Sequence, residues 1–163
     1  MITYRRATFD DVENIHKLLN DYAHEGLMLP RARNAIYENL RDYIVAMENK
    51  KSRLIGCGAL HFVWDRLAEI RSLAVDPERK TSGIGRNIVH LLEKEGIERG
   101  VKMFFTLTYQ PGFFAKCDYI ETAKEKLPQK VWKECVYCPQ YPYCNEIAFV
   151  KTTVDYEPGD IMF

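Results

Sequence analysis

The stretch AVDPERKTSGIGRNIVHLL, residues 74–92, passes from an apolar strand end through Asp-Pro into two closely spaced glycines, Gly83 and Gly85, and at once into a helical pattern. A strand, a glycine-rich turn and a helix N-terminus in that order make a phosphate site, because free backbone N–H groups and the positive helix end point at one spot. By itself the turn is open to any phosphate carrier. Other residues with chemical capacity are Glu69 and Arg71 before the turn, Arg31 after Pro30, His61 at the end of GCGALH, and Tyr109. Cys135, Cys138 and Cys144 form C-x2-C-x5-C, compact enough for a structural zinc or redox site, with three ligands evident and no histidine close in sequence. Plain structural thiols, zinc and a disulfide all stay open there. Cys57 and Cys117 read as ordinary buried thiols of a reducing compartment.

These residues need elements to position them. Ile2 and Tyr4 suggest a first strand, Thr8 with Asp11 resembles a capping box, and Val12, Ile15, Leu18, Leu19 and Tyr22 fall at helical spacing. After a loop containing Pro30, a shorter helix carries Ile36 and Leu40. Tyr43 to Met47 and Leu54 to Val63 read as a hairpin joined by the polar turn Glu48 to Ser52. AEIRSLAV alternates, with Ala68, Ile70, Ser72 and Ala74 on one face and Glu69, Arg71, Leu73 and Val75 on the other. A regular strand would set Glu69 about 20 Å from the strand end, and a bulge would change this. Ile84, Ile88, Leu91 and Leu92 give the helix after the glycine turn its buried stripe, and Gly100 is a stop. KMFFTL is the next strand; strand, helix, strand at this length favours a parallel pair. PGFFAK reads as a short helix, Tyr119 and Ile120 begin a strand, and NEIAFVK is the last one. The expected architecture is α/β, a mixed, twisted β-sheet flanked by helices.

Composition narrows the partners. The 163 residues, 47% hydrophobic and 28% charged, fit a single domain able to bury a proper core. Lys+Arg and Asp+Glu balance at 23 each, so no overall positive field gathers nucleic acid or an anionic membrane. The apolar stretches fall far short of the roughly 20 residues a membrane span needs, and MITYRRATFDD lacks a signal-peptide core. The expected location is cytoplasmic.

An alternating strand, Asp-Pro, a basic residue three before the first glycine, G-x-G and a helix together resemble the GNAT superfamily of acetyl-CoA-dependent N-acetyltransferases. The family motif R/Q-x-x-G-x-G/A stands here as Lys80-Thr81-Ser82-Gly83-Ile84-Gly85, with Lys in the first place. EGLMLPR, GCGALH, AEIRSLAVDP, LTYQPGFF and LPQKVWKECVYCPQYPYCNEIA, in that order, are similar to the short, single-domain bacterial N-acetylglutamate synthases that open arginine biosynthesis. The resemblance spans residues 1–151 as one acetyltransferase domain and leaves 152–163 as a tail without an assigned role.

The resemblance implies that acetyl-CoA lies along Leu73, Ala74 and Val75, with its pyrophosphate on the N–H groups of Lys80, Thr81, Ser82, Gly83, Ile84, Gly85 and Arg86. It implies Glu69 as the base that takes the ammonium proton through water, the alternative being a solvated glutamate or a partner for Arg71. Many family members place a Tyr near the thiolate, but Phe114 occupies that place here, which leaves Tyr109 or water to protonate the leaving group. Glutamate brings two carboxylates, for which planar guanidinium forks are suited; Arg31 lies where the family makes substrate contacts, and Arg71 and His61 are the other candidates. The expected partner is a small amino acid, with a homodimer implied by the resemblance. The same chemistry on another amine, such as glutamine, and a catalytically silent acyl-CoA-binding module are the alternatives.

Overall fold

Two glycines, one residue apart, decide how closely a helix lies on a strand. In the computed structural model, which describes residues 1–80, 82–127 and 146–161, a Cβ on Gly58 would lie 2.7 Å from Ile88 Cγ2 and 3.1 Å from Leu73 Cδ1. One on Gly56 would lie 3.1 Å from Ile84 Cγ2 and 3.2 Å from Ile88 Cδ1. The GCGALH segment is thus small where the helix after the glycine turn lies against it.

The chain runs β1 (Ile2–Arg6), α1 (Val12–His24), α2 (Arg33–Glu38), β2 (Tyr43–Glu48), β3 (Arg53–Trp64), β4 (Leu67–Val75), α3 (Ile84–Glu98), β5 (Met103–Thr108), α4 (Pro111–Lys116), β6 (Ile120–Thr122) and β7 (Ile147–Thr152). The seven strands hydrogen-bond in the order β1-β2-β3-β4-β5-β7-β6. β4 and β5 pair in parallel, whereas β1 with β2, β2 with β3, β5 with β7 and β6 with β7 are antiparallel. The sheet is mixed, as the strand, helix, strand spacing predicts. Among the described residues no helix is long and apolar enough to cross a membrane.

Two units divide the chain, and β3 and β4 run through both. The first comprises Met1–His61 and Ile70–Glu95. Its core joins Val12, Ile15, Leu19 and Tyr22 of α1 and Ile36 of α2 to Tyr43 and Val45 of β2, Cys57 and Ala59 of β3, and Ala74 of β4. At the start of α1 the Asp11 carboxylate accepts the Thr8 amide at 2.7 Å and the Arg5 guanidinium at 2.7 Å. In α3 the residues Ile84, Ile88, Val89 and Leu92 are buried while Leu91 is 37% exposed. The expected stripe is therefore shifted: at about 100° per residue, a face centred near Leu92 takes in Val89 and leaves Leu91 at its margin.

The second unit comprises Phe62–Glu69 and the chain from Gly96 onwards. Leu67, Phe105, Leu127 and Ala148 form its buried cluster, with Val63, Met103, Leu107, Val150 and Ile161 packed against it. A Cβ on Gly96 would lie 2.6 Å from the Phe104 ring, so this end of α3 also depends on a glycine. The tail packs on this unit: Thr153 N–H donates to the Lys102 carbonyl at 2.9 Å, and Lys102 Nζ meets the Asp155 carboxylate at 3.0 Å.

Gly58→Ala should force Ile88 or Leu73 to shift. The expected loss is about 1–3 kcal/mol, read as a lower urea midpoint with an unchanged slope.

Candidate active site

The glycine turn is tied down before it reaches its glycines. Asp76 N–H donates to the Ile55 carbonyl at 2.8 Å, extending the pairing of β4 by one residue. The Asp76 carboxylate is buried, accepts the Glu78 amide at 3.0 Å and pairs with Arg53, capping a short 3-10 turn at Pro77–Arg79. Arg79 in turn pairs with Glu48 of β2. Gly83 stands at φ +81°, with no atom within 4 Å of where a Cβ would be, and its carbonyl accepts the Asn87 N–H at 3.0 Å as the first bond of α3. The N–H groups of Ile84, Gly85 and Arg86 therefore open the helix, where intrahelical acceptors are lacking. Thr81 lies outside the described residues.

Tyr22 braces the same corner. Its hydroxyl donates to the Val75 carbonyl, and Lys80 Nζ sits 5.1 Å from its ring centroid. Burial first, then the Asp76 and Glu25 carboxylates, push the phenol up to about 12, so it remains a donor.

Four described non-glycine residues have positive φ: Ser52, Arg66 and Asp118 in turns, and Ser72, at +56°, inside β4. That left-handed residue interrupts the regular strand backbone. Leu73 lies over Gly58 beside Ile88, whereas Ala74 belongs to the α1 core. Ser72 Oγ accepts the Tyr43 hydroxyl at 3.2 Å, and the Ser72 carbonyl accepts the Cys57 thiol at 3.4 Å. Tyr43 and Cys57 both belong to the α1 core, so Ser72 and Ala74 share the α1 face while Leu73 lies on the other, the grouping that alternation predicts for these three residues.

The charges of Arg31 and Arg71 both reach the Tyr43 phenol. Burial raises the Tyr43 phenol above its ordinary range, while the charges of Arg31 and Arg71 and the Ser72 hydrogen bond pull the other way. Arg71 is buried and Arg31 half-buried. The loop carrying Arg31 is held to α1 by Asn20, whose amide donates to the Arg31 carbonyl at 3.2 Å and the His16 carbonyl at 2.8 Å, and by an Arg33–Glu13 ion pair at 2.9 Å. His61, on β3, has Nδ1 2.8 Å from the Asp42 carboxylate, next in sequence to Tyr43. Arg31, Arg71 and Tyr43 all belong to the first unit, which carries the glycine turn as well.

Glu69 and Tyr109 belong to the second unit. Glu69 is half-buried and stands opposite Phe105 in the β4–β5 ladder; Tyr109 is half-buried in the link from β5 to α4. Phe114 is buried, edge-on to Phe113 at 5.1 Å and to Tyr119 at 5.3 Å. Cys135, Cys138 and Cys144 lie outside the described residues, and among the described ones no group of three or more His, Cys, Asp or Glu is placed to hold a metal. Tyr22, Tyr43 and Ser72 are not visible as site residues in the sequence; the two tyrosines fit core patterns, and only a polar tip on a buried ring hints at more.

Comparison with known proteins bears on the chemistry. Residues 9–119 match the acetyltransferase (GNAT) family, and the chain belongs to that family. An uncharacterized N-acetyltransferase of Chlorobaculum tepidum is 45% identical over 148 residues, 91% of this chain and 94% of its own. The amino-acid acetyltransferase of Mycobacterium tuberculosis is 34% identical over 131 residues, 80% of this chain and 75% of its own. N-acetylglutamate synthase from Neisseria gonorrhoeae, crystallised with coenzyme A and N-acetyl-glutamate, shares the fold with a TM-score of 0.83 at 21% identity, over 93% of this chain and 35% of that one. The protein is accordingly an acyltransferase of the GNAT type that uses acetyl-CoA and is related to amino-acid acetyltransferases.

Tyr22→Phe tests the brace at Val75. The folded chain holds this proton to about 12, whereas an unfolded phenol releases it near 10. A raised folded value makes the linked stability complete below about pH 10 and lost as the pH rises to about 12. The Phe variant should therefore lose less stability than the parent between about pH 9 and about pH 11, read by urea denaturation.

Proposed function

We propose that this GNAT acetyltransferase transfers acetyl from acetyl-CoA to the α-amino group of L-glutamate, the first step of arginine biosynthesis. The observation that carries the reading is that the charges of Arg31 and Arg71 both reach the Tyr43 phenol, in the unit that also holds the glycine turn. Two guanidiniums, one buried and one half-buried, suit an acceptor with two carboxylates, each able to take a planar two-donor fork.

In this reading the pyrophosphate of acetyl-CoA rests on the backbone N–H groups that open α3, and Gly83 and Gly85 allow its close approach. The pantetheine arm pairs with backbone of Leu73, Ala74 and Val75, and the brace from Tyr22 fixes that strand end. Arg31 and Arg71 hold the acceptor's carboxylates, with His61, oriented by Asp42, alongside. Glu69 takes the ammonium proton through water, and the free amine attacks the thioester carbonyl. The tetrahedral adduct then collapses with loss of the CoA thiolate, which Tyr109 or water protonates.

Thiol release from acetyl-CoA, measured with a panel of amino acids, tests the assignment. Glutamate should give the highest kcat/KM; preference for glutamine would move the substrate to a neutral side chain, and silence with every amine would leave a binding module. Arg31→Ala removes a charge-assisted contact worth about 1.5–3 kcal/mol, so kcat/KM for glutamate should fall roughly ten- to a hundred-fold with the acetyl-CoA KM barely changed. Arg31→Lys should restore only part, because an ammonium keeps the charge without the planar fork. A loss confined to acetyl-CoA would reassign Arg31 to the cofactor.

A further inference from the structure

Residues 153–161 follow the last strand and close on the start of β5. Thr153 N–H donates to the Lys102 carbonyl at 2.9 Å, one step beyond the Met103–Thr152 pair of the β5–β7 ladder. Two turns come next, one closed by Tyr156 N–H on the Thr153 carbonyl at 3.1 Å and one by Asp160 N–H on the Glu157 carbonyl at 3.0 Å. Each turn fixes an aspartate: the Asp155 carboxylate accepts the Thr153 hydroxyl at 2.9 Å, and that of Asp160 accepts the Glu157 amide at 2.8 Å. Both carboxylates approach Lys102 Nζ, at 3.0 and 3.9 Å, and Nζ also donates to the Asp155 carbonyl at 3.1 Å. Ile161 then packs against the buried cluster of Leu67, Phe105, Leu127 and Ala148.

The tail thus holds both ends of a short ladder. β4 and β5 pair as Leu67 with Met103, Ala68 with Phe104 and Glu69 with Phe105. At the start of that ladder the N–H groups of Lys102 and Met103 both donate to the Arg66 carbonyl, at 2.8 and 3.1 Å, so the residue that the tail binds also enters the pairing of β4. At its end Phe105, the ladder partner of Glu69, belongs to the cluster against which Ile161 packs. Parallel pairs are the weaker kind per residue, so a ladder this short takes its register from what holds its ends.

We propose that the tail is a positioning element for the proton acceptor: bound to Lys102 and packed on the Phe105 cluster, it fixes the β4–β5 ladder in which Glu69 stands. The inference rests on the assignment of Glu69 as base made above. Exposed ion pairs contribute little singly, so Lys102 sets where the tail lies and the apolar contact of Ile161 supplies most of the hold. The glycine turn belongs to the first unit, so the tail should act on kcat and spare the KM of acetyl-CoA.

The test compares the parent, Asp155→Asn/Ile161→Ala, Glu69→Gln and the triple variant in the full chain, using the acceptor that the thiol-release panel ranks first. The tail variant should lower kcat about five-fold and shift the acetyl-CoA KM by less than about two-fold. It should also speed hydrogen exchange of the amides of residues 67–69 and 103–105. In the Glu69→Gln background the same tail changes should alter kcat by less than about two-fold. Ile161→Val, which keeps a branched apolar side chain, should retain most of the parent kcat. An equal kcat penalty in the parent and Glu69→Gln backgrounds would overturn the proposal, as would an unchanged kcat in the tail variant, a matching rise in the acetyl-CoA KM, or unchanged exchange in the ladder. If Glu69→Gln alone matches the parent, or if no amine is acetylated, the base assignment fails by itself, and exchange in the ladder decides for or against the hold of the tail.

Discussion

The distance at which α3 lies from β3 governs where the glycine-turn end of the helix, proposed above to take the cofactor's pyrophosphate, can be. Ile84 and Ile88 occupy the space that side chains at Gly56 and Gly58 would fill. Any larger residue there pushes the helix outward and carries its first turn, with its open N–H groups, away from the end of β4. The opposite end of the helix uses the same device with the partners exchanged, because Gly96 of the helix makes room for the Phe104 ring. A helix N-terminus attracts anions only over its first turn, so an error of one methyl group in this packing would displace the open N–H groups that the proposed cofactor site depends on.

A second constraint acts within β4. A regular strand alternates, and alternation would bind the direction of Arg71 to that of Leu73, which covers Gly58 beside Ile88. The left-handed Ser72 interrupts that regularity directly after Arg71. For a non-glycine residue that conformation costs about 1–2 kcal/mol, and each of two buried hydrogen bonds, from Tyr43 and Cys57, contributes about 0.5–1.5 kcal/mol. The opposing quantities are of the same size. The kink is thus held by its neighbours rather than by the serine itself, and it depends on residues of two other strands.

This is also why part of the site is legible in the sequence and part is not. Gly83, Gly85 and the helix that follows announce themselves locally, because a turn residue at positive φ and a 3.6-residue period leave a mark in the chain that contains them. The parallel β4–β5 pair follows from segment length alone. Ser72 leaves no such mark: serine is no signature of the left-handed region, and AEIRSLAV alternates well enough to read as regular. Leu91 reads as buried because spacing gives the width of an apolar stripe but not its centre, which the strand glycines set. The placement of β7 between β5 and β6 rests on pairings remote in sequence, for which no local signal exists. Tyr22 and Tyr43 are legible as core and illegible as polar braces, since periodicity records the ring and not the hydroxyl.

The phenol of Tyr43 adds an electrostatic condition. Two guanidiniums act on a buried tyrosine, and their charges favour its ionised form; burial opposes them and prevails, leaving the proton in place. Had the charges won, the phenolate would offset one of the two positive charges that act on it and would no longer donate to Ser72. Keeping the phenol neutral preserves both the hydrogen bond to Ser72 and the two positive charges around it. The chain as a whole carries no net charge, so attraction for an anionic acceptor has to be made locally, and a cation taken out of water acts more strongly at short range than one on the surface. In the proposed reading, the burial that makes Arg71 expensive to place is therefore what would make it selective for an acceptor carboxylate.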